Sequence, residues 1–235
     1  MRSRLRELPT LGRAALDHGV TRAPNGVKRG IVAEFHRLFY HSFQERLETT
    51  TWMGTPVNKC PTDLWIYQEL MHRVRPAVVV ETGTAWGGSA LYFAGLCDLL
   101  DHGRIVTIDI GAAEGRPEHP RITHIVGSST APETVDDVRR LVGDDTPVLI
   151  TLDSDHSYSH VRHELAAYAD LVTPGSYLVV EDTNLNGHPV LPQFGPGPME
   201  AVQEFLAADR RFEVDRECEK FFMSYNPGGY LRRVA

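Results

Sequence analysis

The feature that most constrains this chain is an alternation of short apolar strand patterns with helical patterns between residues 76 and 208. Parallel strands need crossover connections, so this alternation predicts a parallel sheet covered by helices on both faces. Two further strands at 221–225 and 230–234, joined by the turn 226–229, predict a C-terminal antiparallel hairpin. The predicted strands are 77–81, 104–109, 122–126, 148–152 and 177–181, and the helices are 89–100, 133–141, 160–168 and 199–208.

The N-terminal part follows a different pattern. Apolar residues at helical spacing predict helices over 31–47 and 63–73, and 13–18 has the pattern of one or two helical turns. We therefore expect residues 1–60 to form a helical extension or cap, and residues 61–235 to form the functional domain.

Composition excludes several classes of protein. The 235 residues carry a net charge of −7, which argues against a nucleic-acid binder that relies on phosphate contacts. Three widely separated cysteines argue against a disulfide framework or a structural zinc site. There is no apolar run of membrane-spanning length and no signal-like apolar core, so we expect a cytoplasmic protein with no membrane partner.

Acidic residues occur where the predicted strands end. In an open α/β sheet, ligands bind outside the carboxyl ends of the strands. Polar loops explain some of this placement but explain poorly why every such residue is a carboxylate. These residues are Glu81, Asp109, Asp153, Glu181 and Asp182.

The first strand leads into a glycine-rich turn at residues 82–88. Glycines let a backbone approach a ligand closely, and the N-terminus of the following helix would point N–H groups at the same place. An acid at the end of the next strand, Asp109, can accept hydrogen bonds from the two hydroxyls of a ribose. The turn therefore indicates a nucleoside cofactor, the alternative being a turn that serves packing only. No P-loop pattern is present.

Asp153, Glu181 and Asp182 should meet at neighbouring strand ends. Clustered carboxylates repel one another unless a cation lies among them or one stays protonated. Oxygen ligands of this kind suit Mg²⁺. The alternative is a set of ordinary acids at solvated loop ends.

Three histidines follow Asp153. The pair His156 and His160 lacks the H-E-x-x-H pattern of a zinc site, and we expect His160 and His163 to face solvent from a helix. His156 lies close to the strand end, where it could act as a general base or, equally, support a neighbouring ligand.

Residues 183–198 form a connection too long for an ordinary αβ loop. Loops of this length often act as lids over a site, although an ordered surface loop is the alternative. The segment would bring polar and aromatic side chains next to the acids: Asn184, Asn186, His188, Gln193 and Phe194.

Together these motifs resemble the cephalosporin hydroxylase family, which groups with S-adenosylmethionine (SAM)-dependent methyltransferases, including rhamnosyl O-methyltransferases. The matching stretches lie at 59–70, 78–94, 152–165 and 178–202, and we see no match for residues 1–30. The resemblance implies a class I Rossmann-like methyltransferase: a mostly parallel seven-stranded sheet with a C-terminal antiparallel hairpin.

The resemblance also implies roles for individual residues. Asp153, Glu181 and Asp182 match the metal-binding acids, and the general base is left open between His156, Asp153 and His188, of which His188 is also a candidate for substrate contact. Cofactor contacts would come from Glu81, Gly83, Thr84, Gly87, Ser89, Asp109 and Ser128.

The resulting expectation is a Mg²⁺-dependent SAM O-methyltransferase that acts on a hydroxyl of a small natural product, first of all a deoxysugar of the rhamnose type. A homo-oligomer is expected from the family. The alternatives are a partner subunit in β-lactam tailoring, a non-catalytic SAM-binding component and, more weakly, an NAD-dependent oxidoreductase.

Overall fold

The structure is a computed structural model that describes residues 23–46, 49–112 and 115–235. The helical turns expected at 13–18 lie outside these residues, as does the whole first third of the predicted extension. Among the described residues, no helix is long and apolar enough to cross a membrane.

Within the described ranges, seven strands form the central sheet and six α-helices accompany it. The helices are α1 (Asn25–Gln44), α2 (Pro61–Val74), α3 (Gly88–Leu100), α4 (Pro132–Val142), α5 (Tyr158–Tyr168) and α6 (Pro198–Ala208). The strands are β3 (Val78–Thr82), β4 (Arg104–Asp109), β5 (Ile122–Val126), β6 (Val148–Leu152), β7 (Tyr177–Val180), β8 (Phe212–Val214) and β9 (Tyr230–Arg233), and a small separate pair is formed by β1 (Thr51–Trp52) and β2 (Thr55–Pro56).

The strand order in the sheet is β5-β4-β3-β6-β7-β9-β8. The first five strands in this order are parallel, and β9 pairs antiparallel with both β7 and β8. The order changes direction between β3 and β6, so a crevice for ligands is expected at the carboxyl ends of these strands. The predicted fold class is confirmed.

The sheet has an apolar layer on each face. Strand β3 is buried along its whole length, and its alternate residues enter different cores: Val78 and Val80 pack with α4, α5 and α6, whereas Val79 packs with α2 and α3. Side chains of consecutive strand residues point to opposite faces, so a strand covered on both sides needs apolar residues on both, as residues 78–80 provide; Glu81 and Thr82 lie at its carboxyl end.

The prediction of a strand at 221–225, the first of the C-terminal hairpin, is wrong. Residues 221–225 form no strand, and β9 pairs instead with β8. The segment is held across the start of α2, where the Asp63 carboxylate accepts from the Tyr225 backbone N–H (2.8 Å) and Thr62 donates to the Met223 carbonyl (2.6 Å). Its backbone groups are thus satisfied without a strand partner.

Helix α1 packs against the long loop and the C-terminal segment. Tyr40 and Phe43 form a third apolar cluster with Leu185 and Val190 of the loop and with Tyr225. The helix begins earlier than predicted, at Asn25, and the predicted loop before α2 contains the β1–β2 pair. The described part of the predicted extension therefore contacts the region that follows β7. The boundary predicted at residue 60 stays a prediction.

Candidate functional site

The predicted acids all lie at the carboxyl edge of the sheet. Asp109 ends β4, Asp153 follows β6, and Glu181 and Asp182 follow β7. Glu81 precedes the last residue of β3 and is completely buried. The edge divides into a cavity beside β4 and an acid cluster beside β7.

Gly83 is the residue at which these two parts meet. Its φ is +84°, and a Cβ at this position would lie 1.9 Å from the Asp153 carbonyl oxygen. Neither the backbone angle nor the space admits another residue. Gly87 also has a positive φ, +83°, and caps the N-terminus of α3.

Asp109 is anchored at the mouth of the cavity. Its Oδ2 accepts from the Ala85 backbone N–H at 2.8 Å and lies 3.0 Å from Arg116 Nη2, while Oδ1 accepts from Gly111 N–H at 3.1 Å. Arg116 Nε also donates to the Ala85 carbonyl at 2.8 Å. A ligand that bonds to Asp109 would therefore share this carboxylate with Arg116, a residue that sequence reasoning missed.

The cavity has a volume of about 390 Å³. It lies between the glycine turn, the end of β4 and the loops after β5 and β6. Ser128 is not among the described lining residues, although its neighbour Ser129 is; the Ser128 hydroxyl lies 3.2 Å from that of Thr130. The lining residues are Gly83, Ile108, Asp109, Ile110, Gly127, Ser129, Ser154, Asp155 and His160.

His160 belongs to this cavity, so the expectation that it faces solvent is wrong. Its Nε2 lies 3.0 Å from Ser129 Oγ and 3.6 Å from Oε1 of the buried Glu164. The neighbouring Glu164 carboxylate raises the pKa of His160. Ser154 donates to the same carboxylate at 2.7 Å, which ties the loop after β6 to α5. His163 is exposed, as predicted.

Three residues predicted to bind the cofactor, Glu81, Thr84 and Ser89, are buried and do not line this cavity. Glu81 Oε2 accepts from Thr107 Oγ1 at 2.7 Å, and Thr84 Oγ1 lies 2.7 Å from the same hydroxyl. Burial raises the pKa of Glu81, and the positive charge of Lys59 opposes the rise. Glu81 and Thr84 are therefore placed to support the turn from below, and Thr84 and Ser89 also line a small space shared with Lys59 and Asp153.

The acid cluster consists of Asp153, His156 and Asp182. One ligand atom from each lies within 4.8 Å of the other two, and His156 Nε2 is 3.4 Å from Asp182 Oδ2. Asp182 has a φ of +53°, and its N–H donates to Asn226 Oδ1 at 3.0 Å. A non-glycine residue held in this left-handed conformation is typical of functional sites.

Glu181 lies beside the cluster but not in it. Its Oε1 accepts from Lys59 Nζ at 2.5 Å, from Tyr67 Oη at 2.6 Å and from Thr151 Oγ1 at 2.7 Å. Lys59 also donates to Asp153 Oδ2 at 2.7 Å, so one ammonium joins the acids after β6 and β7. Sequence reasoning found no basic residue near these acids. The signal it overlooked is that Lys59, one of only three lysines, begins the first matching stretch.

The pKa shifts of the two acids in the cluster show that their negative charges are unfavourable there. Burial raises the pKa of Asp153 well above its ordinary value, and the charge of Glu181 raises it further, against the effect of Lys59. Burial likewise raises the pKa of Asp182, against the effect of His156. A divalent cation would relieve this repulsion, and carboxylate oxygens are ligands that Mg²⁺ prefers. The donor set fits the predicted metal.

The long loop after Asp182 turns His188 toward α6. His188 Nε2 lies 2.9 Å from Glu200 Oε1, which also accepts from Asn186 Nδ2 at 3.1 Å. Helix α1 covers the same loop: His36 Nε2 lies 3.0 Å from the buried Asn184 amide, and Arg37 donates to the Pro189 carbonyl at 3.0 Å. His188 and α1 also line a second cavity of about 470 Å³. The loop is therefore ordered by α1, a helix to which sequence reasoning gave no role in the site.

The family profile described as rhamnosyl O-methyltransferase/CmcI matches residues 44–234. The chain belongs to this family. The resemblance seen in the motifs is thus confirmed, and the match extends through the acid cluster, the long loop and the C-terminal strands.

Named relatives agree with membership of the rhamnosyl O-methyltransferase/CmcI family. Rhamnosyl O-methyltransferase of Mycobacterium leprae (strain TN) is 39% identical over 210 residues, covering 86% of this chain and 90% of the relative. The solved structure of CmcI with Mg and SAM has a TM-score of 0.63 at 22% identity, covering 100% of this chain and 88% of that one. MycE methyltransferase of the mycinamycin pathway, solved with Mg, SAH and mycinamycin VI, has a TM-score of 0.54 at 21% identity, covering 72% and 48%. These structural likenesses show the shared fold.

Proposed function

We propose that this chain is a Mg²⁺-dependent SAM O-methyltransferase whose acceptor is a hydroxyl of a small natural product, with a deoxysugar of the rhamnose type as first choice. The observation that carries the proposal is the adjacency of two sites at Gly83: a cavity fit for a nucleoside on one side, and an acid cluster with a histidine on the other. The rhamnosyl O-methyltransferase relative and the Mg- and SAM-containing family structure support the acceptor class and the cofactors.

The cavity suits the nucleoside part of SAM. Asp109 offers carboxylate oxygens at its mouth, and the close approach of the Gly83 backbone leaves room for a ligand beside the turn. We assign Gly83, Gly87 and Asp109 to cofactor binding and add His160 and Ser129 from the opposite wall. Glu81, Thr84 and Ser89 hold the turn in shape, and Ser128 borders the cavity through Ser129.

The acids would hold the metal. Asp153 and Asp182 contribute from the cluster, and Glu181 can add its Oε2, since the hydrogen bonds made to it by described residues all reach Oε1. When bound, Mg²⁺ supplies positive charge that stabilises the alkoxide developing on the acceptor hydroxyl.

Alignment of the reactants and removal of the hydroxyl proton are assigned to side chains of the protein. Methyl transfer is an in-line displacement: an O–CH₃ bond forms as the S–CH₃ bond breaks, SAH leaves as a thioether, and the hydroxyl proton goes to a base. Alignment of two bound reactants contributes up to roughly 7–11 kcal/mol in favourable cases. We assign the base to His156, because Asp153 Oδ2 already accepts from Lys59. His188, held by Glu200, is assigned to the acceptor.

We further propose a homo-oligomer. Helix α1 exposes apolar side chains at helical spacing: Val27, Ile31, Phe35 and Leu38 are between 48% and 66% exposed. An apolar stripe of this kind is typical of a helix that packs against a partner. Light scattering on the purified protein tests this; a monomeric mass at micromolar concentration would contradict it.

The test of function is a transfer assay with SAM labelled in its methyl group. The acceptor panel should contain rhamnosides, other glycosides, a catechol and a cephem with a free 7-hydroxyl. We expect label on a rhamnoside, its loss in excess EDTA and its return with Mg²⁺. Undiminished transfer in excess EDTA would overturn the metal role, and no transfer to any acceptor by protein that binds SAH would overturn the enzymatic role.

A further inference from the structure

Lys59 is the most deeply buried cation described near the acids. Its side chain is 1% exposed, and Nζ lies between Asp153 Oδ2 (2.7 Å) and Glu181 Oε1 (2.5 Å). Burial alone would lower the pKa of Lys59, but the charges of Asp153 and Glu181 outweigh it and raise the pKa. The ammonium is therefore a permanent positive charge between Asp153 and Glu181.

Donors to these two acids are unevenly distributed over the carboxylate oxygens. On Glu181, Lys59, Tyr67 and Thr151 all donate to Oε1. On Asp153, Lys59 donates to Oδ2. Within the described ranges no hydrogen bond reaches Glu181 Oε2 or Asp153 Oδ1. Each acid is thus left with one oxygen committed and one available.

Cations differ in how they use a carboxylate. Ca²⁺ takes six to eight oxygens in flexible geometry and often binds both oxygens of one carboxylate, whereas Mg²⁺ is smaller, demands an octahedral arrangement and keeps several waters. A site in which two of its three acids, Asp153 and Glu181, each offer a single oxygen therefore suits Mg²⁺ and leaves Ca²⁺ with fewer ligands.

We propose that Lys59, assisted by Tyr67, is a positioning residue that makes the site selective for Mg²⁺ over Ca²⁺, by committing one oxygen of Asp153 and one of Glu181 to hydrogen bonds. This inference rests on the metal site of the proposed function. It goes further in assigning ion selectivity to a residue from the segment before α2, which contributes no ligand atom itself.

The test is calorimetric titration of Mg²⁺ and of Ca²⁺ into the full chain, comparing wild type with Lys59→Met. Loss of the ammonium charge changes the affinities for Mg²⁺ and Ca²⁺ by the same factor, so it does not alter their ratio. The carboxylate oxygens that the substitution frees favour Ca²⁺, so they do alter the ratio. We expect the preference for Mg²⁺ to fall by about tenfold or more. An unchanged ratio, including one in which both affinities shift by the same factor, would overturn the proposal.

Two further variants keep the result interpretable. Should Lys59→Met fail to fold, Tyr67→Phe decides: it removes only one donor to Glu181 Oε1, and we expect a fall in the ratio of about threefold. An unchanged ratio in Tyr67→Phe then overturns the proposal. Lys220→Met makes the same chemical change in the exposed pair with Glu69 and should leave the ratio at the wild-type value.

Failure of the underlying function gives a different pattern. If wild type binds neither Mg²⁺ nor Ca²⁺, the metal site itself is refuted, and the selectivity inference falls with it. If wild type binds both cations and the variants retain its ratio, the metal site stands and only the role of Lys59 is refuted.

Discussion

The cavity beside β4 and the acid cluster beside β7 lie at one edge of the same sheet, but they are built differently. The cavity is shaped mainly by backbone: a glycine turn at positive φ, Asp109 held by N–H groups of nearby residues, and the loop after β5. The cluster is shaped by side chains from distant segments, because Lys59 and Tyr67 bond to acids far along the chain. The cavity therefore depends mainly on backbone geometry at the strand ends, whereas the cluster is assembled by side chains from distant segments.

We expect the largest effect from a substitution at Gly83, the residue at which the cavity and the acid cluster meet. In Gly83→Ala the new Cβ would lie 1.9 Å from the Asp153 carbonyl in a backbone with φ of +84°. We expect loss of both SAH and metal binding and a fall in stability of roughly 3 kcal/mol or more. Calorimetry and thermal unfolding measure this. Gly95→Ala, in α3 with its nearest neighbour at 3.9 Å, is the matched control and should bind normally; wild-type binding by Gly83→Ala would contradict the packing argument.

Asp182→Asn separates the two parts. Asparagine tolerates the left-handed conformation that Asp182 adopts, so the turn should survive while a charged ligand atom is lost. We expect metal affinity to fall about 100-fold, transfer to disappear and SAH binding to stay near wild type. Asp136→Asn, in an exposed pair with Arg139, should behave as wild type. Full transfer activity in Asp182→Asn would refute the assignment of this acid.

Asp109→Asn is the converse experiment. The amide keeps one acceptor oxygen but loses the charge that pairs with Arg116, and it binds ribose hydroxyls less well. The dissociation constant of SAH should rise about tenfold, with Mg²⁺ affinity measured on the same protein unchanged. A parallel loss of metal affinity would show that the two parts are not independent.

We expect the smallest effect from a substitution in α1. This helix packs against the loop that follows Asp182, on the acid-cluster side of the sheet edge. Burial and the neighbouring Arg37 lower the pKa of His36 from 6.5 to about 4. The unfolded chain therefore binds a proton as pH falls through 6.5, while the folded chain does not until pH approaches 4, so this contribution to stability is lost over that interval.

In His36→Gln the melting temperature should fall less on acidification. Between pH 7 and pH 5 we expect wild type to lose about 3 °C more than the variant. SAH affinity at pH 7 should be the same in both proteins, because His36 lies away from the cofactor cavity. Melting temperatures that decline in parallel would show that His36 is not titrating as a buried group.

The same contrast explains what the sequence could predict. The five parallel strands follow from local apolar runs, and the strands at 104–109, 122–126 and 148–152 have the predicted bounds. Acids at strand ends and glycines in a turn are likewise local signals, so Asp109, Asp153 and Asp182 were found at the edge where the structure places them.

Contacts made through the tertiary fold were not predictable in this way. Lys59 bonds to Asp153 and Glu181, which are remote in sequence, and His160 is drawn into the cavity by Ser129. Residues 221–225 have a strand pattern, but Asp63 and Thr62 take up their backbone groups before a strand can form. In each example a long-range hydrogen bond determines where the residue lies, and the local sequence pattern does not indicate that bond.

The most direct test of the account is a calorimetric titration of SAH into wild-type protein with Mg²⁺ present. We expect binding at one site per chain with a dissociation constant of about micromolar order, and competition by SAM. No heat of binding and no competition would mean that the cavity beside Gly83 and Asp109 does not hold a nucleoside, and this would contradict the proposed methyltransferase function at its foundation.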